Sequence, residues 1–233
     1  MDPRQLGTRS PLRLLEQTIH GGLGQGNIGV VVARHGIGKT ALLVEVALDS
    51  LIHGGKILHV SLQQTVDQIR AYYDEIFNDL AHTRDLENVW QVRLDLERNR
   101  RIHSHLDGKF SEETLQKTLA FMRTYTDFSP SMILVDGFNF EEITDAILGG
   151  LRRLAHGFEA ELWMTAVTTR DAPHDQHGVP EPVARVASSV DVILRLAHDG
   201  DRVHVSLLKD HARSDVPRLK LALDPRTLLL VKE

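Results

Sequence analysis

The sequence predicts an α/β fold: a mostly parallel central sheet flanked by helices and continued at its C-terminal side by antiparallel strands. Three stretches carry that prediction. The apolar run Ile28-Gly29-Val30-Val31-Val32 leads into a glycine loop, Ala33-Arg34-His35-Gly36-Ile37-Gly38-Lys39-Thr40, and then into the helical pattern of 41–48. Strand, loop and helix in that order open a βαβ unit. A second apolar run, Met132-Ile133-Leu134-Val135, ends in Asp136, as a strand buried on both faces of a parallel sheet does. Late in the chain, segments 189–196 and 202–209 flank Asp199-Gly200-Asp201. An Asp-Gly pair between such segments is a hairpin signal.

Composition sets the outer limits. With 233 residues, 42% of them hydrophobic, the chain can bury a sizeable core. Residues 1–11 are polar and rich in Pro, Gly and Arg, and are expected to fray; 12–233 are expected to form a single domain. The absence of cysteine excludes a disulfide framework and thiolate chemistry. A formal net charge of -5 argues against non-specific nucleic-acid binding as the main activity, which requires a basic stripe. The 13 histidines are scattered and lack metal-ligand spacing. No apolar run approaches the roughly 18 residues of a membrane span, and the N-terminus lacks a signal pattern. A cytoplasmic protein without a membrane partner is expected.

Taken in order, 12–19 reads as a short helix, followed by the glycine-rich turn 21–26 and a first core strand at 28–34. The helix after the glycine loop spans about 39–53 and stops near Gly54-Gly55, a C-cap signal. Residues 56–62 form the second strand, joined to the first by a right-handed parallel crossover. Val66, Ile69, Tyr72, Tyr73, Ile76 and Phe77 recur at three and four, which predicts an amphipathic helix. Its aromatics are expected against the sheet, with ligand stacking as the alternative. Region 82–110 alternates in charge and is the least regular; 89–96 reads as a short strand within a solvated connection. The arginines at 98–101 have a phosphate or a neighbouring subunit as their alternative target. Ser111 is placed to cap a helix over 112–126, with Glu112 and Glu113 suiting its dipole. Strand 130–137, helix 141–157 and strand 161–168 follow. Residues 171–186 form a loop rich in Pro, His, Gly and Asp, where function often resides. The hairpin 189–209 and a last strand pair near 218–223 and 227–232 complete the chain.

The glycine loop carries the clearest chemistry. Glycines let the backbone turn tightly, so that successive N–H groups and the positive end of the following helix face an anion. In such a loop Lys39 reaches the β- and γ-phosphates of a nucleotide, and the Thr40 hydroxyl is offered to Mg²⁺. Ala33, His35, Gly36, Ile37, Gly38, Lys39 and Thr40 are therefore the expected nucleotide-binding residues. Asp136, at the carboxyl end of a parallel strand, lies where open α/β sheets place ligands. It is expected to hold the Mg²⁺ shell opposite Thr40. The pattern Gly-x-x-x-x-Gly-Lys-Thr has Ala33 in place of its first glycine.

These features together resemble the RecA/DnaB/KaiC-like ATPase domains, and the KaiC-like branch most, over about 12–215. The glycine-rich approach Gly21-Gly22-Leu23-Gly24-Gln25-Gly26, the loop with Ala33, a Walker B strand followed by Gly137, and the late strand pair 189–209 carry the resemblance. It implies a sheet in which the strand after Walker B lies between the Walker A and Walker B strands. Thr168 would then stand near the γ-phosphate, as a polar contact or as an ordinary strand end. The family's catalytic glutamate, often in Glu-Glu-Thr, is here Gln63-Gln64-Thr65. An amide orients water but does not take its proton at ordinary pH. The family's Lys-x-Arg, which reaches a neighbouring subunit's nucleotide, is here Lys209-Asp210-His211, and imidazole does not reproduce a guanidinium fork.

The resemblance thus implies an ATP- and Mg²⁺-binding protein with slow or absent hydrolysis. Gln63, Gln64 and Lys209 remain as its catalytic candidates. Nucleotide would govern assembly into a homo-oligomeric ring or filament, or engagement of a regulated protein partner. A DNA-acting ATPase is the alternative, disfavoured by the acidic, histidine-containing loop 171–186.

Overall fold

In a computed structural model of the chain, residues 11–19, 21–83, 86–108, 110–213 and 216–233 are described. The expected fraying of the N-terminus falls, up to residue 10, outside them. The described residues form a nine-stranded sheet. Its strands are β1 (Ile28–Ala33), β2 (Ile57–Ser61), β3 (Arg100–Ser104), β4 (Met132–Asp136), β5 (Glu161–Val167), β6 (Val192–Asp199), β7 (Arg202–Asp210), β8 (Leu221–Leu223) and β9 (Leu230–Lys232). The helices are α1 (Pro11–Thr18), α2 (Lys39–Ile52), α3 (Val66–Thr83), α4 (Val89–Asn99), α5 (Glu112–Thr126) and α6 (Asp145–Gly157).

The strand order is β3-β2-β4-β5-β1-β6-β7-β8-β9. Pairing is parallel from β3 through β6 and antiparallel from β6 through β9. This is the mixed architecture predicted above, with β5 between β4 and β1. Strands β1, β2 and β4 are buried along their whole length, which explains their continuous Val/Ile/Leu runs. One hydrophobic cluster gathers α2, α3 and α4 with the C-terminal strands; a second gathers α5 and α6 on other side chains of the same sheet.

Helix boundaries follow local chemistry. Helix α2 ends through Gly54, at φ 88, whose N–H bonds the Leu51 carbonyl at 2.9 Å. Ser111 caps α5 as predicted: its hydroxyl accepts from Thr114 N at 3.2 Å while Thr114 Oγ1 accepts from Ser111 N at 2.8 Å. Helix α6 starts later than 141, because Thr144 is its N-cap and accepts from Ile147 N at 3.3 Å.

Two expectations for 82–110 are corrected. Segment 89–96 is helical, within α4, with Val92 and Leu96 buried one turn apart and Trp90 exposed. The apolar residues suggested a strand, but the spacing of three and four from Val89 to Val92 to Leu96 serves a helix packed on α2 and α3. Residues 100–104 are an edge strand, β3, rather than a solvated connection. Its sequence Arg-Arg-Ile-His-Ser lacks apolar alternation because it is only partly buried. The loop 171–186 also has local order. Asp175 accepts from the N–H groups of His177 and Val179 at 2.8 and 2.9 Å, and a 3₁₀ turn over Ala184–Ser189 leads into β6. Strand β6 therefore begins three residues later than the sequence suggested. No helix among the described residues is long and apolar enough to cross a membrane.

Candidate functional site

The strand order places the carboxyl ends of β2, β4, β5 and β1 side by side, with the glycine loop projecting from β1. There they surround a cleft of about 330 Å³. His35, Gly36, Ile37, Gly38, Lys39, Thr40, Gln63, Gln64 and Asp136 all line it. Three separate segments thus bring together most of the residues singled out from the sequence.

The loop wall is built by two glycines in the left-handed region, Gly36 at φ 75 and Gly38 at φ 100. Gly38 is the N-cap of α2, so the first amides of that helix, without intrahelical acceptors, open towards the cleft. A side chain at 38 would also meet Leu223 Cδ1 at 3.1 Å. The Lys39 ammonium turns back onto its own loop, donating to the carbonyls of Arg34 at 2.9 Å and Ala33 at 3.3 Å. Burial lowers its pKa, partly opposed by the charge of Asp136.

Asp136 is the centre of the polar floor. Although only 6% exposed, it accepts hydrogen bonds at both oxygens: Thr40 Oγ1 donates to Oδ2 at 2.8 Å, and Thr165 Oγ1 donates to Oδ1 at 2.7 Å. Thr165 in turn accepts from Gly137 N at 2.7 Å. The carboxylate is therefore fixed from β5 and from α2 at once. A hard divalent cation takes oxygen ligands of this kind, and Thr40 Oγ1 with Asp136 Oδ2 is an oxygen pair suited to hold one with its waters.

The two glutamines face this floor differently. Gln63 is exposed and donates to the Gly137 carbonyl at 3.3 Å. A side chain at Gly137 would press into Gln63 Cγ at 2.8 Å, so the glycine leaves room for the glutamine. Gln64 is anchored by its backbone, which accepts from Ser104 Oγ at 2.8 Å and donates to Ser61 Oγ at 3.0 Å. Its Oε1 is buried with no hydrogen-bond partner among the described residues.

Other sequence candidates lie elsewhere. Ala33 is buried at the end of β1 and contributes its carbonyl to Lys39. Thr168 bonds the Glu181 carbonyl through Oγ1 at 2.7 Å and is not part of the cleft lining. Lys209 donates to the carbonyls of Ala187 and Val190, both at 2.6 Å, on its own chain. His211 bonds Asp210 and the Leu23 carbonyl at 2.8 and 3.0 Å. Burial opposes its charged form, but those bonds and the charges of Asp210 and Asp191 prevail and raise its pKa.

Several cleft residues escaped the sequence reading. Thr165 is a hydroxyl inside the apolar run Trp163-Met164-Thr165-Ala166, and that contrast was its available signal. His198, Val203, Pro225 and Leu228 form the far wall together with Tyr72, whose ring the sequence placed against the sheet with ligand stacking as the alternative. They come from α3, from β6 and β7, and from the connection between β8 and β9, and share no local motif. No protein-family model matches the chain, and no curated protein matches it.

Proposed function

We propose that the chain is a RecA-like P-loop domain, nearest the KaiC-like branch, that binds ATP with Mg²⁺ in this cleft. In this reading it hydrolyses ATP slowly or not at all and acts as a nucleotide-dependent assembly or regulatory factor. The observation that carries the reading is the meeting of Thr40 Oγ1 and Asp136 Oδ2 at 2.8 Å beside Lys39, at the start of a helix. Hydroxyl, carboxylate and ammonium come from two distant segments and converge where a triphosphate needs all three.

The amides of 36–40 and Lys39 would hold the phosphate oxygens, and the far wall with Tyr72 and Leu228 would face the base. Thr40 and Asp136 would hold Mg²⁺, which when bound neutralises phosphate charge. Gln63 and Gln64 would orient a water without removing its proton. Loss of a general base slows a reaction by about 10²–10⁴-fold. Lys209 would have to leave two carbonyls of its own chain to act on a neighbour's nucleotide, a second reason for slow turnover.

Isothermal titration with ATP–Mg²⁺ tests the binding. Saturable heat is expected from the wild type and at least about tenfold weaker binding from Lys39→Ala, the loss of a charge-assisted contact. Absence of heat at high protein concentration would sink the reading. Sedimentation with and without ATP then tests assembly; a single species unaffected by nucleotide removes that part of the proposal.

A further inference from the structure

Behind Asp136 runs a buried polar chain that no step above uses. His59 lies in β2, two residues before Ser61, and is completely buried. The register pairs His59 with Leu134 and Ser61 with Asp136, so with a side-chain period of two His59 and Asp136 share a face of the sheet. His59 Nε2 stands 4.0 Å from Asp136 Oδ2 and has no hydrogen-bond partner among the described residues. Its Nδ1 is 3.2 Å from the hydroxyl of Tyr73 on α3, with the rings edge-on at 5.7 Å. Arg100 of β3, itself buried, lies 4.4 Å over the Tyr73 ring and pairs with Glu97. The arginine cluster expected in a solvated connection thus sends one member inward.

These contacts select a tautomer. Burial raises the pKa of Tyr73, so the phenol keeps its proton, and the nearby Arg100 charge offsets this only in part. A protonated phenol donating to Nδ1 leaves the imidazole proton on Nε2. The opposite tautomer would turn a lone pair towards the Asp136 carboxylate in a buried setting, where like partial charges repel strongly. The separation of 4.0 Å exceeds a hydrogen bond, but an N–H at that distance still draws the carboxylate electrostatically. It acts on Oδ2, the oxygen that meets Thr40.

We propose that His59, held as its Nε2–H tautomer by Tyr73, is a positioning residue that orients the Asp136 carboxylate towards the nucleotide's magnesium. The role rests on the ATP–Mg²⁺ reading of the cleft. It also explains why a polar ring occupies a core strand position otherwise filled by Ile57, Leu58 and Val60.

The first test needs no ligand. Long-range ¹H–¹⁵N spectra of the imidazoles at pH 7 are expected to show His59 protonated at Nε2, and Tyr73→Phe to shift it towards the other tautomer. A wild-type His59 protonated at Nδ1 overturns the proposal. The second compares ATP affinity in excess EDTA and in Mg²⁺. His59→Leu is expected to leave the EDTA value unchanged and to reduce the gain from Mg²⁺ by about tenfold, the lower range for partners that orient metal ligands. His59→Gln, whose amide N–H replaces Nε2–H, is expected to recover most of it. Should His59→Leu fail to fold by circular dichroism, Tyr73→Phe, which keeps the ring, carries the comparison. Unchanged magnesium dependence in the folded variants overturns the role of His59 alone. A wild type that binds no nucleotide in either condition overturns the assignment of the cleft itself.

Discussion

Gln63 and Gln64 occupy the mouth and inner wall of the cleft, beside the groups proposed above to hold phosphate and Mg²⁺. Replacing the exposed Gln63 by glutamate restores a carboxylate where the Gly137 turn already leaves space for the side chain. Gln63→Glu is therefore expected to raise ATP hydrolysis by on the order of 10²–10⁴-fold, read as phosphate release under single-turnover conditions. An unchanged rate would mean that this position does not face the attacking water. At this scale the glycine loop and Asp136 stood out in the sequence because each sits in a local pattern, and the glutamines only through the family resemblance. Thr165 and His59 did not. Each is a polar residue inside an apolar strand, and only the register between strands shows that both side chains converge on Asp136.

Elements with strong local signals appeared where the pattern put them. Helix α5 is bounded by the capping box at Ser111, and acids in its first turn agree with the dipole. Ser111→Ala is expected to cost about 1 kcal/mol, measured as a lower urea midpoint with an unchanged slope. Strand β1 holds Gly29 opposite Trp163, and a Cβ there would stand 2.4 Å from the indole ring. The glycine is required by a residue 134 positions away, a contact invisible to periodicity. Region 82–110 was misread for a related reason. Helix α4 is short, with two buried side chains, and edge strand β3 buries Arg100 by stacking it on Tyr73. Pattern alone does not anticipate a charged residue serving as core.

At the scale of the molecule, the antiparallel strands are joined to the side of the sheet that carries the cleft. Leu230 N donates to the buried Glu45 of α2 at 2.8 Å, and Leu223 packs against the glycine loop. Sheet order was therefore more than scaffolding, and the cleft's far wall had to await it. Acid sensitivity also belongs to the whole fold. Burial lowers the pKa of His59 to about 4, opposed by Asp136 and assisted by Arg100. The unfolded chain binds this proton first, below about 6.5, so His59 reduces stability as pH falls from there towards 4. Between pH 7 and pH 5 its share is about 2 kcal/mol. His211, with a raised pKa, works in the opposite sense: its contribution is full below about 6.5 and is lost as pH rises through its folded value. Urea unfolding at the two pH values is expected to show a smaller acid loss in His59→Gln than in wild type.

The inward turn of Lys39 has a consequence for reactivity. Desolvation lowers its pKa, which makes its amine a better nucleophile at neutral pH than a lysine surrounded by water. An anion arriving at the glycine loop would draw the ammonium away from Ala33 and Arg34 and favour its charged form. Brief treatment with an acylating reagent, followed by peptide mapping, should therefore modify Lys39 ahead of the exposed Lys117, and ATP–Mg²⁺ should reverse that order. The loop would report its own occupancy through the acylation rate of a single amine.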